Sequence, residues 1–160
     1  MVSTAVVLLL AALAAYSMYR LRWPSWVPAL VLMGSLVFHM IPPVTLVGPW
    51  YVMFRSIGWD NTYTALVLTH VALNLPIGIA VMSVFVRDIP IEIEESARLD
   101  GSSTPQMLWH IVFPLVRPGL AATCILVFVF SWNEFAVALN LTSRQTATVP
   151  VAIAKFAQEY

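Results

Sequence analysis

Charge is what this chain has least of. Of its 160 residues only 10% are charged and 60% are hydrophobic, whereas soluble domains carry about 25% charged residues. Mean hydropathy is +0.84, so the chain cannot cover itself with a solvated surface and is read as a membrane protein. The net charge is zero, with eight basic residues against eight acidic. There is no basic stripe to neutralise phosphates, which excludes a nucleic-acid partner. Cys124 is the single cysteine, which excludes an internal disulfide framework and a cysteine-based metal site. A GxxxxGK[ST] phosphate loop is also missing, so the chain holds no such ATP-hydrolysing site.

Long uncharged runs are what is there. Residues 1–19 would reach about 28 Å as a helix, close to the hydrocarbon thickness of a bilayer. A secretory signal is disfavoured because Arg20 and Arg22 follow at once and no positive region precedes. Residues 23–54 are too long for one span, and Pro42 and Pro43 must divide them. A helix over 26–41 is expected, then a broken, partly helical segment closed by turn residues Gly58 and Asn61. A third span covers 62–86, kinked at Pro76, and a fourth covers 119–141. The last residues, 142–160, read as a loop or surface helix. The whole is one all-α integral membrane domain of about four transmembrane helices. Arg20, Arg22, Arg87, Arg98 and Arg117 fall on one side, against Arg55, Arg144 and Lys155, which places the first side in the cytoplasm.

Residues 88–118 break the pattern, holding five of the eight acidic residues. Asp88 is expected to cap a short helix, with Pro90 in its first turn and Glu92, Glu94 and Glu95 at the positive end of the dipole. Glu94 and Arg98 are four apart, and Ile89, Ile93 and Ala97 make an apolar stripe. Gly101 suits a left-handed stop. Thr104 and Pro105 open a second helix with Met107, Leu108, Ile111 and Val112 on one face, and Pro114 and Pro118 end it. On these grounds alone the unit could be an amphipathic hairpin that merely joins two spans.

The order of residues narrows that choice. Glu95-Ser96-Ala97, three residues, Gly101, nine residues, then Ile111-Val112-Phe113-Pro114 resembles the EAA-x3-G-x9-I-x-L-P signature of ABC-importer permeases. Ser96 stands for the central alanine and Phe113 for leucine, both of comparable size or apolarity. Further likeness lies in RLDG, LVRPGL, the break at Ile41 to Pro43, LNLP ending at Pro76, FSWNEFAVAL from Phe130 and TVPVAIAKF from Thr148. These are similar to the carbohydrate-uptake branch of that family, in particular its maltose-permease G-type subunits, and they cover essentially the whole chain.

The resemblance implies an inner-membrane helical bundle with a cytoplasmic coupling-helix hairpin, partial beside a six-helix member. It implies an ATPase-coupling interface at Glu94, Glu95, Ser96, Ala97, Asp100, Gly101, Ile111 and Pro114. Its implied partners are an ATP-binding-cassette subunit that binds the ATP, a second permease subunit, an extracytoplasmic solute-binding protein and membrane lipid. The chain itself would need no cofactor or metal and would be no enzyme. The expected cargo is a sugar or polyol. The alternatives are a permease for another substrate and a truncated permease or scaffold that moves nothing.

Four polar residues in apolar surroundings, Asn74, Asn133, Glu134 and Asn140, are candidates for a translocation pathway or gate. A charge at the bilayer centre costs about 2.5–3.5 kcal/mol, so Glu134 must face protein, water or the interface. For Asn74 and Asn140 the favoured reading is that they satisfy helix breaks, since Pro76 frees the carbonyl of Ala72. His39 and His70 have no carboxylate three or four residues away, so packing is expected there rather than a proton relay or metal site, and His110 reads as a solvated face.

Overall fold

The structure is a computed structural model that describes residues 1–21, 23–143 and 146–159, with only the backbone for Gln158 and Glu159. Arg22 and Arg144, counted above for topology, lie outside the described residues. The described residues form helices only: α1 (Val2–Arg20), α2 (Trp26–His39), α3 (Pro43–Ser56), α4 (Tyr63–Arg87), α5 (Ile91–Leu99), α6 (Thr104–Met107), α7 (Phe113–Leu115), α8 (Arg117–Asn133), α9 (Ala136–Leu141) and α10 (Val149–Glu159). A π-helical turn, Leu108–Val112, joins α6 to α7.

By length and hydropathy α1 and α4 can each cross a bilayer, and two bent pairs bring the number of spans to as many as four. One pair is α2 with α3, bent by 95°. Pro42 is the extended cap between them and Pro43 starts α3, where a missing amide costs nothing. The other is Thr104–Leu115 with α8, bent by 73° at Val116, after which Pro118 sits in the first turn of α8.

The centre is a three-helix crossing of α1, α4 and α8. Membrane helices gain little from hiding apolar surface from lipid, so close approach of small residues decides packing. Ala11, Ala12 and Ala15 give α1 that face and are all buried. Gly78 of α4 lies where a Cβ would come within 2.9 Å of Val7 and 3.3 Å of Ala11. At Gly119 of α8 a Cβ would fall on the Phe85 side chain. α1 and α4 run parallel: Val7 packs with Val71 at one end, and Tyr16 packs with Met82 and Val86 towards the other.

α4 runs as one helix through Pro76. Two expectations change. The fourth span ends at Asn133, because Glu134 adopts an extended conformation and α9 begins afresh two residues later. The final segment is not wholly a surface element, since Val151 of α10 is fully buried with Leu66 and Ala138. Gly58 and Asn61 do turn the chain, both at positive φ, and the Asn61 Oδ1 accepts from Ser143 N at 2.8 Å, tying this turn to the loop after α9.

Candidate functional site

The hairpin of α5 to α7 is built by local rules. Gly101 has φ +84° with nothing near its missing Cβ, so backbone conformation, not space, asks for glycine there. Ser102 N donates to Ala97 O and Gly101 N to Arg98 O, both at 3.0 Å, the paired bonds that close a helix at a left-handed residue. Gln106 Oε1 accepts from Ser103 N at 2.9 Å, so Ser103, one residue before the expected Thr104, caps α6. The α5 cap also differs: Pro90 holds that place, and Asp88 instead ends α4.

The orientation of α5 departs most from expectation. Glu94 is only 2% exposed and points into the bundle. Its Oε1 accepts from Arg20 Nε of α1, in an ion pair whose side chains are 8% and 2% exposed. Its Oε2 accepts from the Tyr16 hydroxyl at 3.0 Å. Arg20 also donates to Val86 O at 3.3 Å and Ile89 O at 2.7 Å, at the end of α4. The expected partner Arg98 instead approaches Tyr16. Ala97 is buried beside Glu94 on the same face, while Ile93 is 38% exposed, so the buried stripe is Glu94 with Ala97 and not Ile93 with Ala97. The long-range partner won because a carboxylate taken out of water needs a full counter-charge, which an exposed i,i+4 arginine does not supply.

The sequence candidates therefore divide. Glu95, Ser96, Asp100 and Gly101 are exposed together with Glu92, Leu99 and Trp109, whereas Glu94 and Ala97 face inward. Asp100, Gly101 and Ile111 line a cleft of about 330 Å³ in the elbow with Ser102, Gln106 and His110. Pro114 is half-buried behind it.

A second site lies where the helices break. A cavity of about 520 Å³ is walled by Phe38, Phe130 and Phe135 and holds His39, Asn74, Asn133 and Glu134. The His39 ring rests on Phe130 with centroids 5.4 Å apart. Asn74 donates to His70 O at 2.8 Å and to Ser131 Oγ of α8 at 3.3 Å, not to the carbonyl that Pro76 frees. Glu134 accepts from Val137 N at 2.9 Å and Ala138 N at 3.0 Å, so its charge meets the first amides of α9. Asn140 stands outside this cavity, exposed and bonded to Ala136 O of its own helix at 2.7 Å. Among the described residues no cluster of metal-ligating side chains occurs.

A helical bundle with this many apolar spans and one structured polar hairpin defines a multi-pass membrane protein. Residues 7–160 match the family of binding-protein-dependent transport system inner membrane components, and the chain belongs to that family. It is 38% identical over 157 residues to the trehalose transport system permease protein SugB of Mycobacterium tuberculosis, which covers 98% of this chain and 57% of that protein. The trehalose/maltose transport system permease protein MalG of Thermococcus litoralis is 36% identical over 92% of this chain and 52% of its own length. The chain thus spans about half the length of these curated relatives. Among solved structures, a bacterial ABC transporter involved in import of the acidic polysaccharide alginate has the same fold, at TM-score 0.67 and 20% identity over 96% of this chain and 55% of that one.

Proposed function

We propose that this chain is a transmembrane part of an ATP-driven importer of a sugar or polyol, and that residues 92–112 receive the movement of a separate ATP-binding subunit. The observation that carries the reading is the rigid elbow at Gly101 with an outward acidic face of Glu92, Glu95 and Asp100. Carboxylates on a short, fixed helix can meet basic groups of a docking partner, and the hairpin can move as a unit because both of its helices are capped. Arg87, Arg98 and Arg117 lie at this end of the bundle, which supports a cytoplasmic position for the hairpin at a bacterial-type inner membrane.

In this reading, closure of the ATPase tips the attached helices between inward- and outward-facing arrangements. A second permease subunit completes the pathway and an extracytoplasmic solute-binding protein supplies the cargo. The cargo class rests on the names of the relatives, and the cavity holding Asn74, Asn133 and Glu134 is the candidate gate. The test is capture of the ATP-binding subunit by the assembled protein. Gly101→Pro forces a negative φ on a residue that needs a positive one and removes its amide bond to Arg98 O, so capture and ATP-dependent uptake are expected to fail together. Normal capture and uptake by that variant would remove the docking proposal.

A further inference from the structure

Glu94, Arg20 and Tyr16 join parts of the chain that sequence keeps far apart, since 74 residues separate the ion-paired side chains. The guanidinium grips at three points: the Glu94 carboxylate on α5, and Val86 O and Ile89 O at the end of α4. Tyr16, one turn earlier on α1, takes the second carboxylate oxygen. Met107, Val112 and Val116, from the second half of the hairpin, pack on the same core through apolar contact. Apolar contact is non-directional and permits sliding. A buried ion pair does not, because parting it leaves both charges unpaired away from water. Among the described residues the other ion pair, Arg87 with Asp88, is exposed and joins neighbours in the chain.

We propose that Glu94, Arg20 and Tyr16 are positioning residues that lock α5 to the ends of α1 and α4 as one lever, so that force on the hairpin enters α1 directly as well as through the chain into α4. The proposal rests on the hairpin being the docking element. The second half of the hairpin leaves through the 73° bend at Val116 and meets this core through apolar contact.

The test is a distance measurement in the whole importer, with its ATP-binding subunit, comparing the nucleotide-free state with the state trapped by ATP and vanadate. Spin labels are placed at Leu13 on α1 and Ile93 on α5, and a label pair across the ATPase reports its closure. In the unmodified background the α1 to α5 distance is expected to be the same in both states. In Glu94→Gln, and in the double variant Arg20→Met with Glu94→Met, which leaves no buried charge, it is expected to differ between the states. ATP hydrolysed without coupled movement should rise about threefold or more, while Ser56→Ala at the exposed end of α3 behaves like the parent. A parent distance that changes as the ATPase closes, or variants that keep it constant, would overturn the lever while leaving docking intact. Failure of the parent to capture the ATPase at all would overturn the docking reading, and the lever with it.

Discussion

Replacing Glu94 by alanine should be among the most destabilising single changes in this chain. The substitution leaves the Arg20 side chain, 8% exposed, without its counter-charge, and breaking a buried pair from one side costs about 3–5 kcal/mol. The lower end applies, because Val86 O and Ile89 O still accept from Arg20. The buried Tyr16 hydroxyl also loses its acceptor, adding about 1 kcal/mol. The sum is about 4 kcal/mol, or about 8–16 °C in Tm by the scaling for chains of 150–250 residues. The double variant Arg20→Met with Glu94→Met fills similar volume without any charge and should lie within about 1 kcal/mol of the parent. Thermal unfolding of the detergent-solubilised protein, followed by loss of the monodisperse peak, measures both. A Glu94→Ala variant within about 1 kcal/mol of the parent would refute the energetic reading. A double variant as damaged as the single one would show that shape, not charge, sets the cost.

Other changes separate steric from conformational demands. Gly119→Ala drives a methyl into the Phe85 side chain and should cost at least about 1–3 kcal/mol, read in the same unfolding assay. Because Phe85 Cβ itself lies only 2.8 Å from the new atom, adding Phe85→Ala should restore part of this and not all. Gly101→Ala meets no neighbour and should cost about 1–2 kcal/mol from the left-handed backbone alone, with Gly101→Asn costing less. Glu134→Ala uncaps α9 at Val137 N and Ala138 N and should cost about 0.5–2 kcal/mol. Glu134→Gln keeps one acceptor, so under the proposed function unaltered ATP-dependent uptake by Glu134→Gln would confine this residue to a capping role.

What could be read from the sequence was local. Pro42 and Pro43 announce the 95° break, since Pro43 disfavours the helical conformation at the residue before it and Pro42 is extended there. Gly101 announces the elbow, and the spacing from Glu95 to Pro114 points to the family. The faces of α5 could not be read. Nine residues span only two and a half turns, and an apolar stripe of Ile89, Ile93 and Ala97 fits such a helix as well as the observed face does. One signal was available: Glu94 and Ala97 are three apart, and an arginine closes α1 at the same end of the bundle. The arginine count used for topology also named the partner of the buried carboxylate.

The division of Glu94 from Glu95 carries the main consequence for mechanism. Two adjacent carboxylates on a helix point about 100° apart, so a single run of acidic residues can serve two partners without competition. Glu95 is left exposed with Glu92 and Asp100, while Glu94 is spent inside the chain on Arg20 and Tyr16. A docking helix held only by apolar contact could roll when a partner pulls on it, and the pull would be lost in side-chain rearrangement. With Glu94 pinned from behind, rolling α5 by even one residue's turn would part a buried ion pair. Under the proposed docking, the outward face and the face anchored to the bundle are fixed by each other, and charge reversal at Glu95 should weaken capture of the ATP-binding subunit without lowering the thermal stability that Glu94 supports.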